Sequence, residues 1–368
     1  MQALTDGSRL MTEALVKAGA DVFIGYPITP ANLLYAYSKN RFKTFLAAPD
    51  EITTLQWMSG FSISGKLPVT ATSFPGFALM LESINMAYMM ELPMVIVLVQ
   101  RLGPSTGTAT CGAQGDLSLL SGMLSGGYSI PVIATSNAHD CWTLADKAIK
   151  TANRLRTPVI LLTSKEEAMT QFSFDLDLLE SIAPVERKFH TSEEPYIPYK
   201  RDDDEIPEFL PVSTNKHQVR ITASTHNEKG ILEGITPAAL KNTLKINEKI
   251  EKNLASYLFY ELDEHPHAET LLVSWGVTAN ATREAAMELR KNGTPVSFFL
   301  PKTLLPLADV YAEILNRYKK IVFAEENHPG QLKKLIYGFK TPSHVHAVNK
   351  IGQMIDPQEI IEEVKKHG

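Results

Sequence analysis

The chain has 368 residues, enough for two domains, and its 44% hydrophobic and 21% charged content is ordinary for a globular protein. Thirty-six basic residues against 41 acidic ones leave a formal charge of -5, with no Lys/Arg-rich run, which argues against a nucleic-acid partner. No apolar run reaches the roughly 18 residues of a membrane span, MQALTDGSRLMTEAL lacks the pattern of a signal peptide, and two lone cysteines, Cys111 and Cys141, fit a reducing compartment, so a cytoplasmic location is expected.

From the N-terminus, LMTEALVKAG reads as a helix stopped by Gly19, and DVFIGYP as a short strand ending at Pro27. ANLLYAYSKN is a helix, FKTFLAA a strand, and EITTLQWMSGFSISG a helix. PVTATSF is a strand and FALMLESINMAYMMEL a long apolar helix. MVIVLVQ is apolar throughout and β-branched, the pattern of a strand buried on both faces of a parallel sheet. After a polar loop come SIPVIAT, a strand, DCWTLADKAIKTANRL, a helix, and TPVILLT, a strand. This alternation predicts a doubly wound α/β domain over residues 1–170.

Residues 171–235 break the rhythm, with prolines at 184, 195, 198, 207 and 211 and a DDDE run; they read as a proline-rich linker. KNTLKINEKIEKNLASYLF reads as an amphipathic helix whose Lys/Glu alternation is a solvated face. TLLVSWG, TPVSFFLP and KIVFAEEN then alternate as strands with the helices TANATREAAMELRKNG, LADVYAEILNRYK and GQLKKLIYGF. They predict a second, smaller α/β domain over residues 236–368.

Four loops follow successive strands of the first domain, at the edge where open α/β sheets bind ligands. The first carries Thr29 between Pro27 and Pro30, its hydroxyl held rather than sampled. The plain alternative is a proline-bounded turn with Pro30 near the first helical position. The second carries Asp50, a natural N-cap, and Glu51, suited to a helix start or to a dry pocket where it could exchange protons. The third carries Gly76, where a backbone could approach closely. The fourth begins at Arg101, whose planar fork could hold a carboxylate or phosphate, or could pair with Asp116 and only pin the loop.

Gly103-Pro104-Ser105-Thr106-Gly107 also fits G-x-S-x-G, the nucleophile elbow of serine hydrolases. An elbow needs a helix at once after the serine, but TATCGAQGD intervenes, and no histidine sits in a recognisable frame. The chain has no P-loop and no dinucleotide fingerprint. Asp116 and Asn137 only loosely match a diphosphate–metal motif, which is rejected for lack of a second glycine.

The run GYPITPAN…PDEITTLQWMSGFSISG…TATSFPGFALMLESINMAYMMELPMVIVLVQRLGPSTG…GAQGDL, with LLVSWGVT and AEENHPGQL later, resembles the alpha subunit of 2-oxoacid:ferredoxin oxidoreductases over nearly the whole chain. Two details depart from the family pattern: Pro49-Asp50-Glu51 stands where E-D-E is common, and TSFPG replaces TSGPG. The resemblance implies that the first domain is the pyrimidine-binding module of a thiamine diphosphate enzyme and the second a transketolase-C-terminal-like domain. It makes Glu51 the catalytic, cofactor-activating acid, hydrogen-bonded to N1′ of the aminopyrimidine so that the 4′-nitrogen can remove the thiazolium proton. It places Thr29, Arg101 and Ile28 on the substrate and Tyr26, Pro27, Pro75 and Gly76 on the cofactor. Gly103, Ser105, Thr106 and Gly107 shape the loop. The implied reaction converts a 2-oxo acid and coenzyme A to acyl-CoA, carbon dioxide and reduced ferredoxin. 2-Oxoglutarate is the first expectation, with branched-chain 2-oxo acids or pyruvate next. Mg2+, the diphosphate site and an iron–sulfur cluster fall to a beta subunit, this chain ligating no metal; gamma and delta subunits are further candidates. A serine hydrolase using Ser105 and a non-catalytic carboxylate-binding subunit are the alternatives.

Overall fold

The structure, a computed structural model, describes residues 1–201, 203–212 and 216–367; Asp202 of the DDDE run lies outside it. The first half runs β1 (Gln2–Thr5), α1 (Gly7–Lys17), β2 (Val22–Gly25), α2 (Asn32–Arg41), β3 (Thr44–Ala47), α3 (Glu51–Ile63), β4 (Pro68–Thr72), α4 (Phe74–Met89), β5 (Met94–Gln100), α5 (Leu117–Gly122), β6 (Val132–Ala134), α6 (Ala138–Leu155), β7 (Pro158–Ser164), α7 (Lys165–Met169) and β8 (Phe172–Asp175). The second runs α8 (Pro237–Lys252), β9 (Tyr260–Asp263), β10 (Thr270–Ser274), α9 (Ala279–Lys291), β11 (Val296–Pro301), β12 (Thr303–Leu305), α10 (Asp309–Leu315), β13 (Lys320–Glu325), α11 (Gln331–Tyr337), β14 (Val345–Asn349) and α12 (Pro357–Lys366).

The six strands expected in the first half lie side by side and parallel in the order β3-β2-β4-β5-β7-β6. Every residue of β5 and β7 is buried, as an apolar strand covered on both faces must be. β12 closes the β6 edge antiparallel, so the first sheet borrows a strand from the second half. The second sheet, β14-β13-β10-β11-β9, is parallel except at β9. These are the two doubly wound α/β units expected. Strands β1 and β8 form an antiparallel ribbon that the sequence did not suggest, because four-residue, partly exposed strands carry no readable alternation.

Leu179 to Thr236 contributes no helix or strand among its described residues, yet Tyr196, Tyr199, Phe209 and Leu210 are buried. Arg201 from this stretch and Lys249 of α8 both bind Glu91, which is fully buried after α4 and held at φ 53°. Lys249 is therefore not on a solvated face as its charge pattern suggests; its Nζ lies 2.6 Å from Glu91 Oε2 and 3.1 Å from the Arg156 carbonyl. Burial pushes the Glu91 carboxyl up, but the charges of Lys249, Arg201 and Arg156 outweigh it and hold it at about 2. Glu91→Ala would leave two buried cations unpaired, so a loss of about 3–5 kcal/mol is expected in denaturant unfolding. Because the folded carboxyl lies below its ordinary 4.5, its contribution is complete above that value and fades as pH falls toward about 2.

Candidate active site

Strands β3, β2, β4 and β5 are neighbours, so their carboxyl ends deliver the four loops to one rim. Chain order reverses between β2 and β4, which opens a crevice there.

Asp50 caps α3, accepting the Thr53 amide at 2.7 Å, and that backbone donor holds its carboxyl below the usual range. With the cap supplied by Asp50, Glu51 is not needed for it. Glu51 is 7% exposed and makes no hydrogen bond or ion pair within the described residues. Its side chain crosses the end of β2 to reach the start of α4. A Cβ on Gly76 would sit 2.4 Å from Glu51 Oε1 and 2.3 Å from Thr72 Oγ1, so only glycine fits beside the carboxyl. Gly76→Ala should displace Glu51 or strain α4, at a cost of about 1–3 kcal/mol in thermal unfolding, with a fall in activity larger than that of an alanine placed elsewhere in α4.

Arg101 follows β5 directly and is 6% exposed. Its Nη1 donates to the Thr29 carbonyl, reaching across the end of β4, while its Nε has no partner. The two long side chains thus cross above the switch point from opposite sides. Arg101 does not form an ion pair with Asp116, so it is not pinned by that carboxylate. Burial pulls the Arg101 pKa down and the Asp116 charge opposes that shift. Tyr26 and Pro27 are exposed, Ile28 and Thr29 half-buried, and Pro75 lies in the first turn of α4. Pro30 precedes the N-cap Ala31, near the first helical position as the sequence suggested.

Four buried polar atoms around this rim have no partner: Asn32 Oδ1, Ser73 Oγ, Arg101 Nε and Asp116 Oδ2. Each costs on the order of 1–3 kcal/mol if left unmet. These four atoms are available to a bound molecule. Asn32 and Ser73 carried no signal in the sequence, because hydroxyls and amides at helix starts are common.

The GPSTG loop is no elbow. Gly103 is half-buried, but Ser105, Thr106 and Gly107 are exposed, Ser105 makes no hydrogen bond among the described residues, and the next helix begins only at Leu117. Gly107 has φ 48°, and a Cβ there would lie 1.6 Å from the Leu102 carbonyl oxygen. The loop is closed by Thr108 N donating to that same oxygen at 2.9 Å. Beyond it, Gln114 ties the two units together. Its Oε1 accepts the Thr278 hydroxyl and the Glu326 amide, each at 2.7 Å, and its Nε2 donates to the Trp275 carbonyl. A cavity of about 260 Å³ lies between the units, lined by Phe74, Pro104, Asp116, Glu326 and His328 among others.

One further surface bears on the site. Ile52 and Trp57 of α3 and Leu79 and Met86 of α4 are 44%, 40%, 53% and 37% exposed, and Tyr26 is exposed too. The two helices that carry these exposed apolar side chains pack against each other.

Residues 13–235 match the family model described as pyruvate flavodoxin/ferredoxin oxidoreductase, thiamine diphosphate-binding. The chain is 31% identical over 359 residues to 2-oxoglutarate synthase subunit KorA of Methanocaldococcus jannaschii, covering 96% of each chain. Its fold matches, at a TM-score of 0.91 and 27% identity, a 2-oxoglutarate:ferredoxin oxidoreductase from Magnetococcus marinus solved with 2-oxoglutarate, coenzyme A and succinyl-CoA bound; the match covers 99% of this chain and 65% of that one. An inactive split-gene transketolase shares the fold at a TM-score of 0.54 and 14% identity, over 98% of this chain and 97% of that one.

Proposed function

The chain belongs to the pyruvate flavodoxin/ferredoxin oxidoreductase family, and from that premise we propose that it is the alpha subunit of an enzyme that oxidatively decarboxylates 2-oxoglutarate with coenzyme A, giving succinyl-CoA, carbon dioxide and reduced ferredoxin. The observation that carries this reading is the crossed pair at the switch point: a buried, otherwise unbonded Glu51 against Gly76, and a buried Arg101 over Thr29.

The residues present fit the pyrimidine half of thiamine diphosphate. Gly76 lets the Glu51 carboxyl lie against the start of α4, and Ser73 and Asn32 offer unmet polar atoms. Tyr26 and Pro27, both exposed, and the half-buried Pro75 are assigned to its border. When bound, thiamine diphosphate supplies a nucleophilic carbon and a sink for the electron pair released with carbon dioxide. Glu51 would turn its carboxyl toward the pyrimidine N1′ and bond it there. Arg101 holds the substrate carboxylate in charge-assisted hydrogen bonds, with Thr29 and Ile28 beside it. The hydrolase alternative lacks its chemistry, since Ser105 is exposed and no base is bonded to it.

The chain's two cysteines cannot hold a cluster, so we assign the cluster, Mg2+ and the diphosphate site to a beta subunit. The exposed apolar side chains Ile52 and Trp57 of α3 and Leu79 and Met86 of α4 are the contacts assigned to that partner. Trp57→Glu should weaken co-purification of the beta subunit while the chain itself stays folded by circular dichroism, since a charge set into an apolar interface costs affinity. The reading as a whole is tested by co-expressing the chain with the product of the neighbouring gene and assaying CoA-dependent reduction of a viologen dye across several 2-oxo acids. Strongest turnover of 2-oxoglutarate is expected; turnover of branched-chain 2-oxo acids or pyruvate alone would reassign the substrate, and no turnover of any 2-oxo acid would refute the reading.

A further inference from the structure

We propose that His346, Glu363 and His367 form a binding site for one divalent transition-metal ion, with Zn2+ the best match, and that the ion staples the last turn of α12 to strand β14. The proposal is independent of the roles given to Glu51 and Arg101. It departs from the family resemblance, which left this chain without a metal ligand.

The three side chains come from two elements. Glu363 and His367 are four residues apart at the end of α12, a spacing that puts both on one face of the helix. Glu363 Oε1 and His367 Nε2 are 3.1 Å apart. His346 is the second residue of β14, the edge strand against which α12 packs. Its ring stacks on that of His367, with centroids 3.7 Å apart and planes 12° from parallel. One nitrogen from each ring and one Glu363 oxygen all lie within 4.8 Å of one another. Among the described residues, no other three His, Cys, Asp or Glu side chains meet in this way. His190 also lies beside a second histidine, His217, and a glutamate, Glu208, but both its nitrogens already have partners, the Glu208 carboxylate and the Glu194 carbonyl.

The donor set selects the metal. Mg2+ and Ca2+ take oxygen ligands, whereas imidazole suits zinc and its neighbours in the first transition row. Two histidines and one glutamate are a complete protein set for a four-coordinate zinc that keeps one position for water. Bonds of about 2.0–2.2 Å place such ligand atoms roughly 3.3 Å apart. The Glu363–His367 pair is already near that separation. The widest pair must close by roughly 1–1.5 Å to reach it, which side-chain torsions of three half-buried residues allow. Some neighbouring charge opposes a cation: Lys366 Nζ lies 3.7 Å from Glu363 Oε2, and Lys320 and His344 bear on His346. The Lys366 side chain is 69% exposed and can turn to water, and its contact leaves Glu363 Oε1 for the ion.

The place of the site gives the ion its role. The other end of α12 is already fastened. Asp356 and Glu359 cap it reciprocally, and Lys350, just after β14, bonds both Glu359 oxygens at 2.8 and 3.0 Å. At the last turn, where helices fray, the polar link to β14 is ring stacking alone, since the Glu363–His367 bond stays within the helix end. An ion shared by His346, Glu363 and His367 converts that contact into a cross-link between helix and strand.

The test uses the full chain without an affinity tag, stripped with a chelator and titrated with Zn2+ in a calorimeter. Wild type, His346→Gln and Glu363→Gln are compared with His267→Gln, which removes an exposed histidine elsewhere. Wild type and His267→Gln should bind one ion at their tightest site. His346→Gln and Glu363→Gln should bind it at least about tenfold more weakly, since even loss of a group behind a metal ligand costs that much. Amide hydrogen exchange gives the second readout: Zn2+ should slow exchange over the last turn of α12 in the wild type and in His267→Gln, and leave it unchanged in Glu363→Gln. Glu363→Gln alters only the helix, so it decides the matter should His346→Gln fail to fold. No Zn2+ binding by the wild type, equal affinity in all four proteins, equal weakening in His267→Gln, or binding that leaves exchange in α12 unchanged would each overturn the proposal.

Discussion

Replacing Glu51 by glutamine should reduce kcat of the assembled complex by at least about a hundredfold and leave KM for the 2-oxo acid nearly unchanged. Positioned proton transfer contributes roughly 10²–10⁴ to such reactions. The amide is close to the carboxyl in size, so it fits against Gly76 and Thr72 without forcing α4 to move. What it lacks is the carboxyl that the proposed role requires. The split between kcat and KM is the informative part. A residue that only shaped the crevice would disturb both, and a carboxylate-binding subunit without catalysis would show no change in either.

Replacing Arg101 by methionine should act on the other parameter. Arg101 is buried and its fork is only partly used, by the Thr29 carbonyl. Removing one member of a desolvated charge pair costs about 2–5 kcal/mol, a fall of roughly thirtyfold to several thousandfold in kcat/KM. Arg101→Lys should recover only part of this, because an ammonium cannot both hold Thr29 and present a planar fork. Steady-state kinetics of the co-expressed complex checks this, with unchanged thermal unfolding showing that the loss lies in binding.

The loops of this site were legible in the sequence because each follows an apolar, strand-like run, and ligands gather at the carboxyl ends of parallel strands. Asp50 as a helix cap followed from local chemistry alone. Which loops touch did not follow. That Glu51 reaches Gly76 and Arg101 reaches Thr29 depends on the spatial order β3-β2-β4-β5, and strand order is not written in any one segment. The same holds for Gln114, an unremarkable glutamine in a loop until β10 and β13 bring Trp275 and Glu326 to it. Long-range charge pairing was misleading in two ways. Lys249 sits in a Lys/Glu-rich helix and yet is buried on Glu91, more than 150 residues away. Arg101 and Asp116 are close in sequence and yet do not pair. β12 was hidden for a similar reason: a three-residue strand has too little pattern to announce that it completes the sheet of the other unit.

The central claim is that this chain contributes the acid that activates a cofactor whose diphosphate is held elsewhere. Deuterium exchange at the thiazolium carbon of thiamine diphosphate bound to the assembled complex, followed by quenched-flow proton NMR, tests it most directly. Exchange should be fast in the wild-type complex and slowed by about a hundredfold or more in Glu51→Gln. Equal exchange rates in the two complexes, with the cofactor bound in both, would contradict the account.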